Sequence, residues 1–367
     1  MKKLLKFLTL FVALGLLTSC WDAKNLEELL IIYTVGFDVS KEDPEKLSIT
    51  VAFPTIIEGA PKDKAEVTTQ SPSLGGGEQN LQNKVYREIS YGNTRVVIFS
   101  EELARKGIYH HIDSMLREPL FPATSRFVIV NTRAIDLINY DPPMSLFVSE
   151  FLFDAVRQSN RYTAVPFTTL RNFNHQLFTD GIEPALPYIV YDSEGESITI
   201  NCIALFFEDR MVDIIRDDMA MAFMLLRGEV NHGFITAPLP EDDKHHLTIS
   251  LTGGHTKIKT SVKDDVLYIN QEVIINADLS EFTRVDSIFD AAMLESFEKI
   301  MEDYLDDLLS TTIERMKKNR CDNIGYGLHV RANHPDFFEK DEWCCLFLDA
   351  VVEAKSDVRI KKVGISH

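Results

Sequence analysis

Apolar residues recur along the chain in two rhythms: short continuous runs that read as strands, and three-to-four-residue spacings that read as helices. The run Leu30-Ile31-Ile32-Tyr33-Thr34-Val35-Gly36-Phe37-Asp38 predicts a buried strand. A polar turn at 41–44 separates it from Leu47-Ser48-Ile49-Thr50-Val51-Ala52-Phe53, so the two should pair as a hairpin. Arg95-Val96-Val97-Ile98-Phe99 and Arg126-Phe127-Val128-Ile129-Val130 read as further strands. Between them, residues 101–106 predict a helical turn stopped at Gly107, and 108–116 a further helix. Leu81, Val85 and Ile89 fall at four-residue intervals and predict a helix over 78–92, with a short one at 134–138. Phe147, Val148, Phe151, Leu152 and Ala155 predict an amphipathic helix over 145–158. Alternating strands and helices imply α/β or α+β layers.

A break is expected around 184–195. Beyond it, 198–207 and 211–215 read as strands joined by Glu208-Asp209-Arg210, followed by a Met-rich helix over 219–226 that ends near Gly228. The alternation at 256–262, an Asp264-Asp265 turn and a strand over 267–277 predict a second hairpin. The longest helix is predicted over 287–318, where Phe297, Ile300, Met301, Tyr304, Leu305, Leu308, Ile313 and Met316 share a face. Acidic residues gather early in it and Arg315, Lys317 and Lys318 lie at its end, which complements the helix dipole. A closing strand is predicted over 343–352. The expected fold class is α+β, a mixed α/β chain of three small domains at 20–190, 191–252 and 253–367. The last should be an antiparallel sheet on one long helix. Residues 58–79 contain Gly59, Pro61, Pro72 and Gly75-Gly76-Gly77 and predict a mobile loop. No Lys-Ser/Thr follows the glycines, so a flexible linker is preferred to a phosphate loop.

The first nineteen residues follow a different logic. Basic Lys2, Lys3 and Lys6 precede the apolar run Phe7 to Leu17, which is too short to span hydrocarbon but suits a signal peptide. Leu17-Thr18-Ser19-Cys20 then has the pattern processed in bacterial lipoproteins: small residues for the peptidase cleft, and a thiol that takes up a diacylglyceryl group. Two acyl chains such as palmitate hold firmly where one does not. The alternative is an ordinary secretory signal with an incidental cysteine. The preferred expectation is a signal peptide at 1–19 and lipidation at Cys20.

Charge gives that anchor its importance. The chain has 38 Lys+Arg against 56 Asp+Glu, a net −18, and cleavage before Cys20 lowers the basic count to 35 and the net charge to −21. Such a balance argues against nucleic-acid partners and against an electrostatic grip on anionic lipid. With 45% hydrophobic and 26% charged residues over 367 positions, the mixture is that of a globular chain with room for two or three cores. Cys202, Cys321, Cys344 and Cys345 show no CxxC spacing, so buried thiols are expected in preference to a zinc site or disulfides. The pairs His110-His111 and His245-His246 lack a carboxylate at closing distance and are expected to be solvated. The acidic runs Asp217-Asp218 and Glu241-Asp242-Asp243 are expected to be solvated as well. GxSxG, HExxH and GxGxxG are missing, so no catalytic residues, cofactor or metal are expected.

Several stretches together resemble the Ger(x)C spore germination lipoproteins, the C subunits of nutrient germinant receptors. They are Cys20-Trp21-Asp22 with Leu26-Glu27-Glu28-Leu29, Val35-Gly36-Phe37-Asp38, and the stretch from Phe99 to Ile108. Ala204-Leu205-Phe206-Phe207, Cys321-Asp322-Asn323-Ile324-Gly325-Tyr326-Gly327, Trp343 and Gly364 continue the order. One departure is visible: the family commonly has Leu-Val-Gly where Met211-Val212-Asp213 stands, which puts the local turn in doubt. The resemblance implies a non-catalytic subunit, complexed with integral-membrane subunits on the outer face of the spore inner membrane. It leaves open whether this chain touches a small-molecule germinant. The alternative function is an extracytoplasmic solute-binding lipoprotein, with an envelope hydrolase behind it.

Overall fold

The structure is a computed structural model that describes residues 25–55, 64–145, 147–240, 242–283 and 291–363. Its N-terminal strands are β1 (Leu29–Ile31), β2 (Thr34–Val39), β3 (Leu47–Pro54) and β4 (Lys64–Ser71). Helix α1 (Leu74–Gln82) leads to β5 (Glu88–Ser90) and β6 (Val96–Ser100). Helices α2 (Glu101–Lys106) and α3 (Tyr109–Arg117) precede β7 (Arg126–Val130). Helices α4 (Ala134–Ile138), α5 (Val148–Arg161) and α6 (Leu170–Leu177) lead to β8 (Ala185–Asp192), β9 (Ser197–Phe207) and β10 (Arg210–Arg216). Eight of these strands form one sheet in the order β10-β9-β8-β7-β6-β2-β3-β4, while β1 and β5 pair separately.

The centre of that sheet is parallel, β2-β6-β7-β8, and its margins are antiparallel hairpins. Continuous apolar runs suit this place, because both faces are covered. On β6, Val96 and Ile98 enter one core while Val97 and Phe99 enter the other; on β7, Val128 and Val130 oppose Phe127 and Ile129 in the same way. Helices α2, α3 and α6 cover one face, and α4 and α5 the other.

Four expectations change here. Within the predicted mobile loop, residues 64–71 are strand β4 and 74–79 belong to helix α1, which is capped by Ser73 accepting from the Gly76 N–H at 3.2 Å. The triple glycine is therefore helical, and Gly77 packs against Ile49, which a larger residue could not do without displacing it. Residues 58–63 lie outside the described residues. The expected break at 184–195 contains the largely buried strand β8, which Pro184 before it and Pro187 within it conceal, and Ile89 belongs to β5 where a helix was expected. Finally, β8 pairs with β7 on one side and β9 on the other, so the strands expected to open a middle domain extend the first sheet.

The C-terminal half begins with α7 (Asp217–Leu226) and strands β11 (Gly233–Leu239), β12 (Asp242–Lys263) and β13 (Val266–Phe282). The β12–β13 hairpin turns at Asp264 and Asp265, both with positive φ (49° and 65°), as the sequence predicts. Then come α8 (Ala291–Lys318), α9 (Tyr326–Asn333), α10 (Pro335–Phe338), α11 (Trp343–Asp349) and β14 (Val351–Val363). The sheet order is β11-β12-β13-β14, and β14 runs parallel to β13, so this sheet is mixed where a purely antiparallel one was expected. The helices α8–α11 supply the crossover that a parallel pair requires. The predicted closing strand is also corrected: 343–349 is helical, because Trp343 and Phe347 stack in an i,i+4 pair (5.9 Å) beside Tyr326.

Helix α8 seals the free edge of β14. Glu298 accepts from the Ile360 N–H (2.7 Å), Glu302 from Val358 (3.2 Å) and Asp306 from Ser356 (2.7 Å). Four helical residues rise about 6.0 Å and two strand residues about 6.6 Å, so carboxylates at i, i+4 and i+8 match alternate N–H groups of an edge strand. Exposed edges invite pairing with other chains, and here the acidic face of α8 occupies the donors.

Candidate functional site

The segment Cys321–Gly327 follows α8 and joins the two halves of the molecule. Cys321 turns the chain back by donating its N–H to Met316 O (3.1 Å), and burial pushes its thiol well above the ordinary range. Asp322 is buried; its carboxylate accepts from the N–H groups of Gly325 and Gly327 (2.8 Å each) and from Trp343 Nε1 (3.0 Å). Its backbone oxygen accepts the Glu183 N–H at 2.8 Å. Asn323, also buried, donates from Nδ2 to Pro184 O (2.6 Å) and Phe206 O (2.9 Å), at the ends of β8 and β9. Tyr326 donates to Gln271 on β13 (2.5 Å), whose amide donates to Leu226 O (2.6 Å).

Glycine is required twice. Gly325 has φ +95°, a left-handed conformation that starts α9 and lets its N–H reach Asp322. Gly327 faces Gly181 so closely that a Cβ there would lie 2.4 Å from Gly181 Cα and 2.7 Å from Trp343. The halves therefore meet backbone to backbone.

Burial raises Asp322 to about 6, against the pull of its N–H donors. It raises Glu183 to about 7, opposed by the N–H of Glu208 (2.8 Å) and reinforced by the Asp322 charge. Beside this joint opens a cleft of about 510 Å³ whose walls include Asp180, Glu183, Phe207, Phe338, Glu342 and Trp343. Aromatic rings and carboxylates together suit a cationic or amine-bearing group. Asp322 has no exposed oxygen with which to act on such a guest, and the near-neutral Glu183 is half-buried at the wall.

Cys20, Trp21 and Asp22 lie outside the described residues, as does Gly364. The His pairs do not converge: His110 is exposed, while His111 on α3 stacks on Phe37 (6.1 Å) and is pushed down to about 4, chiefly by burial. His245 and His246 lie on β12, and the His246 N–H is held by Thr283 (2.7 Å). Asp217 and Asp218 have partners beyond water, since Asn201 and Tyr304 donate to them. Cys202 and Cys321 are buried thiols, whereas Cys344 and Cys345 are half-buried and sit on α11, where a strand was expected. Asp213, the departure from the family pattern, falls on a β-bulge and receives Arg315 in a two-pronged ion pair (2.6 and 2.9 Å). Glu183 escaped sequence reasoning altogether. Asp322 and Asn323 carried no role there, although an Asp-Asn-x-Gly-x-Gly stretch after a long helix is a signal for side chains bonding a local loop. Among the described residues, no helix is long and apolar enough to cross a membrane.

Comparison with known proteins agrees with this architecture. Residues 22–191 match the profile described as the spore germination protein N-terminal domain, and 201–364 the one described as spore germination B3/GerAC-like, C-terminal. The chain is 24% identical to the spore germination protein GerQC of Bacillus cereus over the full length of both. It is 21% identical to the spore germination protein KC of Bacillus subtilis (strain 168), over all of this chain and 97% of that one. The crystal structure of the GerBC protein superposes with a TM-score of 0.56 at 14% identity, covering 90% of this chain and 97% of that one, which establishes a shared fold. With both of its domain profiles matched in order across the described chain, the protein belongs to the spore germination GerAC (Ger(x)C) family.

Proposed function

We propose that this protein is a non-catalytic lipoprotein subunit of a nutrient germinant receptor, tethered through Cys20 to the outer face of the spore inner membrane. Its partners are the receptor's integral-membrane subunits. Relatives over the full length are named spore germination proteins, which supports a role in germination. The observation that carries the reading is the Asp322–Gly327 joint. One of the stretches that carry the resemblance to the family is spent on locking two sheets together, as suits a rigid coupling element. A tether concentrates such a body beside membrane partners, so modest contacts suffice. Its net negative charge keeps it from lying flat on anionic headgroups. The Cys20→Ala protein should fold, leave the membrane fraction and slow nutrient-triggered germination. Normal membrane retention and a normal nutrient response in that variant would sink the proposal.

A second reading, a solute-binding lipoprotein, is favoured by the aromatic and acidic cleft beside Glu183. Calorimetry with amino acids and sugars separates the two: tight binding by this chain alone supports the second, and no heat of binding supports the first.

A further inference from the structure

Glu342, at the residue before α11, and Cys344 and Cys345 in its first turn bring three metal-ligating side chains together. Cys344 Sγ lies 3.9 Å from Cys345 Sγ and 3.8 Å from Glu342 Oε2, and the three ligand atoms fall within 4.8 Å of one another. Two thiolates at about 2.3 Å from a tetrahedral Zn²⁺ stand about 3.8 Å apart, and a thiolate and a carboxylate oxygen about 3.6 Å apart. The two separations made by Cys344 are thus close to the edges of a zinc tetrahedron, and the third pair falls within 4.8 Å.

We propose that Glu342, Cys344 and Cys345 form a three-ligand site for a zinc-class divalent cation, with the fourth position open to the cleft that Glu342 and Cys344 line. Paired sulfurs select borderline and soft ions over Mg²⁺ and Ca²⁺, which take oxygen cages. Glu342 is exposed and both thiols are half-buried, so an ion can enter without unfolding the helix. Three protein ligands and an open position are the pattern of zinc sites that accept a further group, a water or a donor atom from a bound molecule. The ligands flank Trp343, whose indole N–H holds Asp322 at 3.0 Å, so a bound ion would brace the wall of the cleft against the joint.

The test uses the full chain, purified in detergent with its thiols reduced and titrated with Co²⁺ and then Zn²⁺. The expected result is a single equivalent of Co²⁺ that gives a thiolate charge-transfer band and tetrahedral d–d absorption. Zn²⁺ should displace it with release of the thiol protons. Cys344→Ser and Cys345→Ser should each weaken Zn²⁺ binding about 100-fold or more, and Glu342→Gln about 10-fold, with circular dichroism unchanged. Failure of the native chain to give the Co²⁺ band overturns the proposal. So does a band that survives in the Cys344→Ser/Cys345→Ser double variant, since it would then arise from other residues.

Discussion

Two of the joints that fasten the eight-stranded sheet to the C-terminal half differ in material. One is the buried segment around Asp322, where backbone N–H groups, carbonyls and two glycines meet with little intervening side chain. The other is the pair between Asp213 on β10 and Arg315 near the end of α8, with Arg315 37% and Asp213 21% exposed. Both link residues more than a hundred positions apart, 139 for Asn323 to Pro184 and 102 for Arg315 to Asp213. In the buried joint every lost bond strands a polar group away from water; in the surface joint water replaces what is lost. The first should therefore fix how the halves sit, and the second should trim it.

The contrast is broken most forcefully at Gly327. An added methyl meets Gly181 backbone at 2.4 Å, and backbone cannot swing aside as a flexible side chain can. Gly327→Ala should cost about 3–5 kcal/mol, read as a lowered denaturation midpoint in urea. A near-native midpoint would show that the halves can slide apart and that the joint is not tight. Next comes Asp322→Ala, which leaves the N–H groups of Gly325 and Gly327 and the Trp343 indole without their acceptor. The loss should be about 2–4 kcal/mol, smaller than the steric case because removing a buried carboxylate also removes its desolvation cost. Trp343 fluorescence should shift in the same variant, while a surface variant at Arg315 should leave it unchanged.

A third effect distinguishes the joints by pH. Glu183 is raised to about 7 from 4.5 and Asp322 to about 6 from 3.8, in both cases first by burial. The folded chain thus keeps protons that the unfolded chain has already released across this interval. Stability from these groups is highest at the acid end and falls as pH rises from about 4 to about 7, then levels. Glu183→Gln keeps an oxygen for the Glu208 N–H and removes the titration. It should flatten the upper part of that slope and stabilise the protein at about pH 8 by about 1–2 kcal/mol, discounted because the side chain is partly exposed. Urea titrations of both proteins at about pH 5 and about pH 8 provide the check. Parallel curves would mean that Glu183 is ionised without penalty.

Much of the scaffold was legible, for identifiable reasons. Val96 to Phe99 and Phe127 to Val130 are unbroken apolar runs, and such runs belong to parallel strands covered on both faces. The i,i+3/i+4 stripe from Phe297 to Met316 marks α8, and Asp264-Asp265 marks the β12–β13 turn. Trp343 to Asp349 was misread because an apolar run of that length has no period to separate strand from helix. The acids of α8 were assigned to the helix dipole, although Glu298, Glu302 and Asp306 bond the edge of β14, a partner 50 to 62 residues away. The joint was hidden for the same reason: local pattern reports which face a residue takes, and Asn323 reaching Pro184 is a fact of topology. Even the domain division expected at 191 fell inside a sheet, since β8 and β9 are joined by a hairpin that pairing, not composition, defines.

The smallest effect tests the surface joint itself. Hydrogen bonds from Arg315 and the Ile214 N–H hold the Asp213 carboxyl below its ordinary value although burial alone would raise it, so the pair is formed at neutral pH. Its geometry is favourable, two-pronged and supported by Asn319 (2.9 Å), yet both partners reach solvent. A double-mutant cycle of Asp213→Ala and Arg315→Ala should give a coupling of about 0.5–1 kcal/mol, shrinking as salt is added. Asp213→Gly, the residue that the resemblance implies at this position, should lose little more than that coupling, because glycine is at ease where a bulge bends the strand. A coupling of several kcal/mol that ignores salt would place this pair with the buried joint and erase the distinction between them.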